Sequence, residues 1–313
     1  MCPGVNERYR AFFIALKNRY INSKKQEITK MSKNIIKKTI AAAVTLSLAG
    51  SFAACQADET EGSVLGESRD NTVITVGANI TPHSEILEIA KPILAEQGIT
   101  LEIVQLEDSV TPNTGVIEGS LDANYFQHVP YLEQFNLENG SDLVSIGAVH
   151  YEPFGIYAGR VTDLADLQEG AVVAVPNNVT NEARALLLLA QEGLLTLSDD
   201  AGINATVEDI VENPLNIQFE ELAPEQLVAA LPDVDVAVIN GNYAIEGGLH
   251  VSEALAVEAN DGLAAQTYGN IIATSPENAE NPALIALVEV LQGPEVAQFI
   301  NDTYDGAVVP LYG

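Results

Sequence analysis

The segment VITVGANITPHSEILEIAKPILAEQGITLEIVQL, Val73 to Leu106, decides the fold. Its first part, Val73 to Ala78, is a short β-branched run that predicts a buried strand followed by a turn. Apolar residues at helical spacing then predict a helix from Ser84 to Glu96, ended by Gly98. Thr100 to Leu106 alternates like a second strand. A strand, a helix and a strand in this order begin a parallel α/β sheet.

The alternation of strands and helices continues to the end of the chain. Further strands or extended segments are predicted at Leu143–Val149, Phe154–Gly159, Ala171–Val175, Asn216–Leu222, Val234–Ile239 and Tyr268–Thr274. Further helices are predicted at Thr180–Gln191, Pro224–Ala230, Pro282–Leu291 and Pro294–Tyr304. These cycles predict an α/β protein with two lobes, residues 72–154 with 244–313 and residues 155–243. A ligand site is expected at the carboxyl ends of the strands, in the cleft between the lobes.

The first 54 residues have the pattern of an export signal. Basic residues come first, and an apolar run from Ile40 to Ala54 follows. Met31 begins this pattern, so residues 1–30 are interpreted as an upstream extension or a misplaced start, with a long n-region as the alternative. SFAAC, Ser51 to Cys55, resembles a bacterial lipobox and predicts a lipid anchor on Cys55, with residues 55–71 as a flexible tether. The alternative is a plain secretory signal with a chance cysteine.

The charge of the chain limits its partners. It has 44 acidic and 14 basic residues, a formal net charge of −30. Beyond residue 38 the only basic residues are Arg69, Lys91, Arg160 and Arg184. Such a surface repels nucleic acid and anionic lipid, so membrane attachment is expected through Cys55 alone. The acidic, lysine-poor surface also resembles that of salt-adapted proteins.

An aromatic cluster stands out in DANYFQHVPYLEQ, Asp122 to Gln134. Tyr125, Phe126, His128 and Tyr131 lie within seven residues of a chain that is 6% aromatic. Such a cluster forms either the corner of a core or the wall of a pocket.

Polar candidates follow the predicted strands. Asn181 and Arg184 lie at the start of the helix after AVVAVP, Asn240 ends VDVAVIN, and Asn270 stands beside Tyr268 in TYGNIIAT. The Arg184 guanidinium, near the positive end of a helix, is suited to a two-point grip on a carboxylate. Its alternative is an ion pair with one of the many surface acids.

Other classes of site are not favoured by the sequence. Lys91 is the only lysine after the signal, no GxSxG motif is present, and no catalytic residue or cofactor is predicted. The histidines, His83, His128, His150 and His250, are scattered without metal-ligand spacing, so no metal site is predicted. Surface or structural roles are expected for His83, His150 and His250.

Several long segments resemble one protein family. They are ANYFQHVPYL, VAVPNNVTNEARALLLL, TVEDIVENPLNIQFEELAPEQL and AVINGNYA, and the likeness runs from about Val73 to the C-terminus. The family is NlpA, the lipoproteins that serve as methionine-binding components of ABC importers. The resemblance implies a type II periplasmic-binding-protein fold with a ligand cleft between two α/β lobes.

The resemblance also implies roles for individual residues. Phe126, His128 and Tyr131 match an aromatic wall around the ligand side chain, and Arg184 matches the arginine that holds the ligand carboxylate. Asn240 and Asn270 match anchors of the amino acid head group, with Asn181 and Tyr268 as neighbours. Ser109 departs from the family, which often has an aromatic residue there, and so bears on ligand identity.

The expected function is capture of L-methionine or a close analogue and its delivery to an ABC importer permease with its ATPase. The protein is expected to be monomeric and lipid-anchored at the cell membrane, facing the outside or the periplasm. The alternatives are the same fold binding another amino acid or a methionyl dipeptide, and a surface lipoprotein with an interaction role.

Overall fold

A computed structural model describes residues 72–258 and 263–312. The predicted signal, the lipidation site at Cys55 and the tether therefore lie outside the described residues. The strands are β1 Thr72–Asn79, β2 Ile99–Leu106, β3 Ala123–His128, β4 Val144–Tyr151, β5 Gly155–Ala158, β6 Val172–Pro176, β7 Thr196–Leu197, β8 Ile210–Glu212, β9 Gln218–Leu222, β10 Val236–Ile239, β11 Ala256–Val257, β12 Asn270–Thr274 and β13 Val309–Pro310. The α-helices are α1 Glu85–Glu96, α2 Thr111–Ile117, α3 Val129–Asn139, α4 Val179–Gln191, α5 Leu227–Ala230, α6 Gly241–Glu246, α7 Leu263–Tyr268, α8 Pro282–Leu291 and α9 Pro294–Thr303.

The first sheet has six strands in the order β13-β4-β12-β3-β1-β2. β1 runs parallel to β2 and to β3, as the opening strand, helix and strand predict. β12 returns antiparallel between β3 and β4. The strand β3 was not predicted, because all six of its residues are buried and its amide and aromatic side chains show no alternation.

The second sheet has five strands in the order β11-β5-β10-β6-β9. Its central strand β10 is parallel to β6, which is parallel to β9, while β5 runs antiparallel to β10. The short strands β7 and β8 form a separate two-stranded sheet. Two sheets of alternating strands and helices confirm the predicted α/β class.

The chain passes between the two sheets twice. The first crossing, residues 152–154, joins β4 to β5, and the second joins β11 to β12 from residue 258 onward. β11 pairs with β5, although the predicted boundary at residue 244 assigned it to the first lobe. Its two residues are too short a run to show a strand pattern in the sequence.

Each sheet has its own apolar core. On the first sheet, α1, α8 and α9 bury aliphatic side chains such as Ile86, Leu284 and Ile300 against β1. On the second sheet, the leucines of α4 pack with Val173 and Val236. Within the described ranges no single helix is long and apolar enough to span a membrane. The pair α8 and α9, bent by 48°, would qualify together by length and composition only.

One local prediction near the site was wrong, and one helix there was missed. Tyr268 ends the helix α7 and does not begin the last strand, which starts at Asn270. The segment around Ser109 leads into the helix α2, which the sequence did not suggest because it contains Pro112 and Gly115. Pro112 is compatible with a helix there because it occupies the first turn, where backbone N–H groups have no partner within the helix.

Candidate functional site

A pocket lies where the carboxyl ends of strands from the two sheets meet. β3 ends at His128, and Asn270 at the start of antiparallel β12 pairs with it, so both face the same edge. From the other sheet, Asn240 follows β10 directly. The pocket is lined by Asn79, Ser109, Phe126, Gln127, His128, Tyr131, Glu152, Phe154, Asn181, Arg184, Asn240, Gly241, Asn242, Tyr243 and Asn270. Every predicted ligand-binding residue except Tyr268 is among them.

One wall of the pocket is aromatic. The rings of Phe126 and Tyr131 meet edge to face with centroids 5.8 Å apart, and His128 lies 6.5 Å from Tyr131. The Tyr131 hydroxyl donates to the backbone carbonyl of Ser109 at 2.7 Å, which fixes the ring. The segment Asp122 to Gln134 therefore forms both a part of a core and a wall of a pocket. Tyr125 is fully buried in the core of the first sheet, while Phe126, His128 and Tyr131 line the pocket.

His128 connects the wall to the second sheet. Its Nδ1 accepts from the Tyr131 backbone N–H at 3.2 Å and so caps α3. The proton of a neutral ring is therefore on Nε2, which donates to Asn181 Oδ1 in α4 at 3.0 Å. Burial, and secondarily the charge of Arg184, lower the pKa of His128 to about 3. His128 is thus neutral at physiological pH and orients the Asn181 amide.

Arg184 makes its two-point grip with a carboxylate of its own chain. Its Nε donates to both oxygens of Glu258 at 3.0 Å, and its Nη2 donates to Glu258 Oε2 at 2.5 Å. Nη2 also donates to the backbone carbonyl of Glu152 at 2.8 Å. Arg184 is 4% exposed, so this is a buried ion pair and not the surface pair that the sequence offered as the alternative. None of these contacts uses Nη1.

Aromatic rings enclose the same guanidinium. The Arg184 Cζ lies 4.0 Å from the ring centroid of Phe154 and 4.4 Å from that of Tyr268. Tyr268 also packs edge to face on His128, at 5.3 Å. Tyr268 thus packs against two pocket-lining residues, Arg184 and His128, and does not line the pocket itself.

The predicted head-group anchors lie on opposite sides of the pocket. Asn240 Oδ1 is buried and has no hydrogen-bond partner among the described residues. Asn270 Oδ1, in contrast, lies 3.0 Å from His83 Nε2. A buried amide oxygen without a partner costs free energy, so Asn240 is suited to accept a hydrogen bond from a bound molecule.

Sequence reasoning missed Glu152, a buried carboxyl group that lines the pocket. Its Oε1 lies 2.6 Å from His150 Nε2 and 3.5 Å from His83 Nε2. Tyr125 hydrogen-bonds the other ring nitrogen of His150. Burial raises the pKa of Glu152, while His83, the Asn242 backbone N–H and Arg184 act in the opposite direction. His150 and Glu152 are only two residues apart, but His83 and Tyr125 belong to other elements, so the cluster as a whole has no spacing signal in the sequence.

His83 and His150 are deeply buried, so a surface role is wrong for both, whereas His250 is exposed. Burial lowers the pKa of His83 to about 4 and that of His150 to about 3. His83, His150 and Glu152 offer ligand atoms within 4.8 Å of one another, a spacing that could hold a metal ion. Two of the four histidines that look scattered in the sequence, His83 and His150, therefore converge in the fold.

Ser109 lines the pocket next to the aromatic wall, where its backbone carbonyl accepts from the Tyr131 hydroxyl. Its hydroxyl is 3.3 Å from the hydroxyl of Tyr243, which also lines the pocket. Tyr243 thus provides an aromatic ring from the second sheet beside a position where the first sheet has only a small side chain.

Comparison with known proteins gives consistent matches along the chain. A family model described as NlpA lipoprotein matches residues 74–312. The methionine-binding lipoprotein MetQ of Bacillus subtilis is 40% identical over 281 residues, 88% of this chain and 99% of that protein. The membrane lipoprotein TpN32 of Treponema pallidum is 39% identical over 242 residues, 77% of this chain and 88% of that protein.

Solved structures agree with the fold. A lipoprotein from Ruminococcus gnavus is 51% identical, with a TM-score of 0.76, and the match covers 77% of this chain and 99% of that one. A nutrient-binding protein from Burkholderia cenocepacia bound to methionine is 38% identical, with a TM-score of 0.73, over 76% of this chain and 100% of that one.

Replacing Arg184 by methionine should destabilise the fold, because it leaves the Glu258 carboxylate largely buried without its cation. The expected loss in the free energy of unfolding is about 3 kcal/mol, measured by denaturant titration of ligand-free protein. Arg160→Met is the matched control, since the side chain of Arg160 is 51% exposed in its pair with Asp235 and should contribute under about 1 kcal/mol. Adding Glu258→Gln to Arg184→Met should restore part of the loss, and equal losses for the two arginine variants would contradict the buried pair.

Acidification should destabilise the protein through His128. Its pKa is lowered in the folded state, so below about pH 6.5 the unfolded chain binds a proton that the folded protein does not. This contribution to stability is complete above that pH and decreases as the pH falls. Between pH 7 and pH 5 the loss is about 2 kcal/mol, and His128→Gln should remove that part of the pH dependence. His250→Gln replaces an exposed histidine as the control; an unchanged slope in His128→Gln would contradict the neutral, buried state.

Proposed function

Because the chain belongs to the NlpA lipoprotein family, we propose that it is a lipid-anchored substrate-binding protein that captures methionine and delivers it to the permease of an ABC importer. The observation that carries the proposal is the pocket itself, which has an aromatic wall on one side and Arg184, Asn240 and Asn270 on the others. An amino acid with an apolar side chain fits such a distribution of groups.

The aromatic wall supports methionine as the side chain that is bound. Phe126 and Tyr131 stand edge to face, and His128 is neutral, so the wall is largely apolar and polarizable. Contacts between a thioether sulfur and aromatic rings contribute about 0.3 to 1.5 kcal/mol beyond apolar burial. The linear methionine side chain also adapts to an irregular wall.

The ligand carboxylate binds beside Arg184. Glu258 engages Nε and Nη2, so the ligand is held by Nη1 and not by the two-point grip expected from the sequence. Asn181, fixed by His128, is a neighbouring donor at the start of α4. The ion pair with Glu258 keeps the guanidinium in place when no ligand is present.

The two sheets are the two lobes of the binding protein, and the crossings are their hinge. Residues 72–154 with the part from 258 onward form the first lobe, and residues 155–257 form the second. Closure around the ligand removes water from the pocket and presents one shape to the permease. Binding needs no covalent chemistry, and the residues serve capture and not catalysis.

Attachment to the membrane is through a lipid on Cys55. The strongly acidic chain, with a formal net charge of −30, does not favour electrostatic binding to anionic lipid. The segment 56–71 is the tether that lets the protein, a monomer, reach the permease from outside the cytoplasm.

A second candidate ligand is a methionyl dipeptide or another amino acid. The observation that favours it is Ser109, a small side chain that lines the pocket and has its hydroxyl 3.3 Å from the hydroxyl of Tyr243.

Calorimetry should detect L-methionine binding to protein that has been unfolded and refolded to strip bound ligand. Norleucine has nearly the same shape without the sulfur, so it should bind up to about tenfold more weakly. Phe126→Leu keeps the apolar surface but removes one ring, and it should bring the two affinities closer together. If methionine gives no heat while another amino acid or a dipeptide does, methionine is the wrong ligand and the importer proposal remains.

Ser109→Phe should separate the two candidate ligands. A phenylalanine there fills the space beside Tyr243, so binding of a methionyl dipeptide should fall much more than binding of free methionine. Ser109→Ala, which removes only the hydroxyl group, is the control for the hydrogen bond to Tyr243. Titration of both variants with both ligands measures the difference, and a parallel loss of both affinities would contradict a role of Ser109 in ligand size.

A further inference from the structure

A tyrosine of the second sheet makes polar contacts with the first sheet beside the pocket. Tyr243 lies in α6, and its ring packs with Tyr157 and Leu227 in a core of the second sheet. Its hydroxyl donates to the backbone carbonyl of Glu107 at 3.4 Å and lies 3.3 Å from the Ser109 hydroxyl, from which it can accept. Glu107 is exposed while Ser109 lines the pocket, so this contact joins the two sheets at the rim of the pocket.

Residues 107–110, the rim segment, are fixed to the first sheet. They directly follow β2. The Asp108 carboxylate accepts from two backbone N–H groups further along the chain, at 2.7 Å each. The Ser109 carbonyl accepts from the Tyr131 hydroxyl at 2.7 Å. None of these bonds involves the second sheet, so the rim segment presents its polar groups in a direction that the first sheet determines.

Buried amides fix the helix that follows the rim segment. Asn113 of α2 exchanges two hydrogen bonds with Gln127 of β3, at 2.6 Å and 3.0 Å. Asn124, also in β3, donates to the backbone carbonyl of Pro112 at 3.1 Å. All three amide side chains are buried, where hydrogen bonds are stronger than in water. The rim segment therefore lies between β2 and a helix that is bonded to β3, and it moves with the first sheet.

The two distances at the Tyr243 hydroxyl make the contact sensitive to the position of the sheets. Hydrogen bonds between hydroxyl groups and oxygen are commonly about 2.7 to 2.8 Å long, whereas these measure 3.3 Å and 3.4 Å. A separation of the sheets by about 1 Å would break both bonds, and a small approach would strengthen both. Because the ring is packed in one sheet and the rim segment is bonded to the other, neither partner follows the other when the sheets move.

We propose that the Tyr243 hydroxyl and the rim segment form a latch that retains a bound amino acid by slowing the separation of the two sheets. The inference rests on the proposed function, because it concerns how long the captured ligand stays. Tyr243 has a positioning role here, since its hydroxyl acts on the rim segment and not on the ligand. The latch acts after the ligand has entered, so its loss should change the rate of release and not the rate of entry.

Tyr243→Phe keeps the ring in its core and removes the hydroxyl. Release of radiolabelled L-methionine, measured after addition of excess unlabelled methionine, should be roughly two- to tenfold faster than from wild-type protein, the factor that one neutral hydrogen bond contributes. The association rate should stay within about twofold of the wild-type value. Tyr157→Phe, at a tyrosine of the same core that is not among the pocket-lining residues, is the matched control and should change neither rate.

Ser109→Ala tests whether the Tyr243 hydroxyl acts through the rim segment. This change removes one partner and leaves the Glu107 carbonyl, so release should be faster than from wild-type protein but slower than from Tyr243→Phe. The double variant should release methionine as Tyr243→Phe does, because the Ser109 hydroxyl has then already lost its partner. If the two effects multiply, the side chains act independently and the latch is wrong. Thermal unfolding checks that the variants fold; if Tyr243→Phe does not, an unchanged release rate in Ser109→Ala overturns the latch.

The rates separate the latch from the proposed function. If methionine binds and Tyr243→Phe releases it at the wild-type rate, or if only the association rate changes, the latch is wrong and the proposed function stands. If another amino acid or a methionyl dipeptide binds in place of methionine, the release rates of that ligand decide the latch in the same way. If none of these ligands binds wild-type protein, both proposals are wrong.

Discussion

The buried guanidinium of Arg184 is the contact on which the arrangement of the two sheets depends. It projects from α4 of the second sheet, and its partners are the Glu152 carbonyl, the Phe154 ring, the Glu258 carboxylate and the Tyr268 ring. All four belong to the two segments that cross between the sheets. The Arg184 side chain therefore connects both crossings to the helix α4. Because a stranded buried charge is costly, these segments are held at the pocket even before a ligand arrives.

Burial decides which groups near the pocket are charged. The three histidines His83, His128 and His150 are neutral because desolvation opposes protonation, and each uses one ring N–H to orient an amide or a carboxylate. Arg184 keeps its charge because Glu258 accompanies it. Burial also raises the pKa of Glu152, so the same desolvation opposes charge on the carboxyl group that lies beside His83 and His150.

The sequence predicts what depends on pattern and composition. The opening strand, helix and strand follow from apolar periodicity, and Arg184 could be singled out because so few cations lie beyond the signal. The strand β3 could not be predicted in this way, because a strand buried on both faces shows no alternation. Glu152 was missed for a different reason. His150 lies only two residues before it, but His83 comes from the turn after β1, and a contact between such distant segments has no local signal in one sequence. The same limit applies to Glu258, which is one acid among 44 until the fold places it against Arg184.

Glu152 lies on one of the two crossings between the sheets. Residues 152–154 join β4 to β5, and the Glu152 carbonyl accepts from Arg184 of α4 while its carboxyl group faces His83 and His150. A ligand shifts a conformational equilibrium only by the difference in its affinity for the two states. Under the proposed function the crossings are the hinge, so a ligand that contacts both sheets there would favour the closed state through that difference. A ligand held by the aromatic wall of the first sheet alone would have no such difference to contribute.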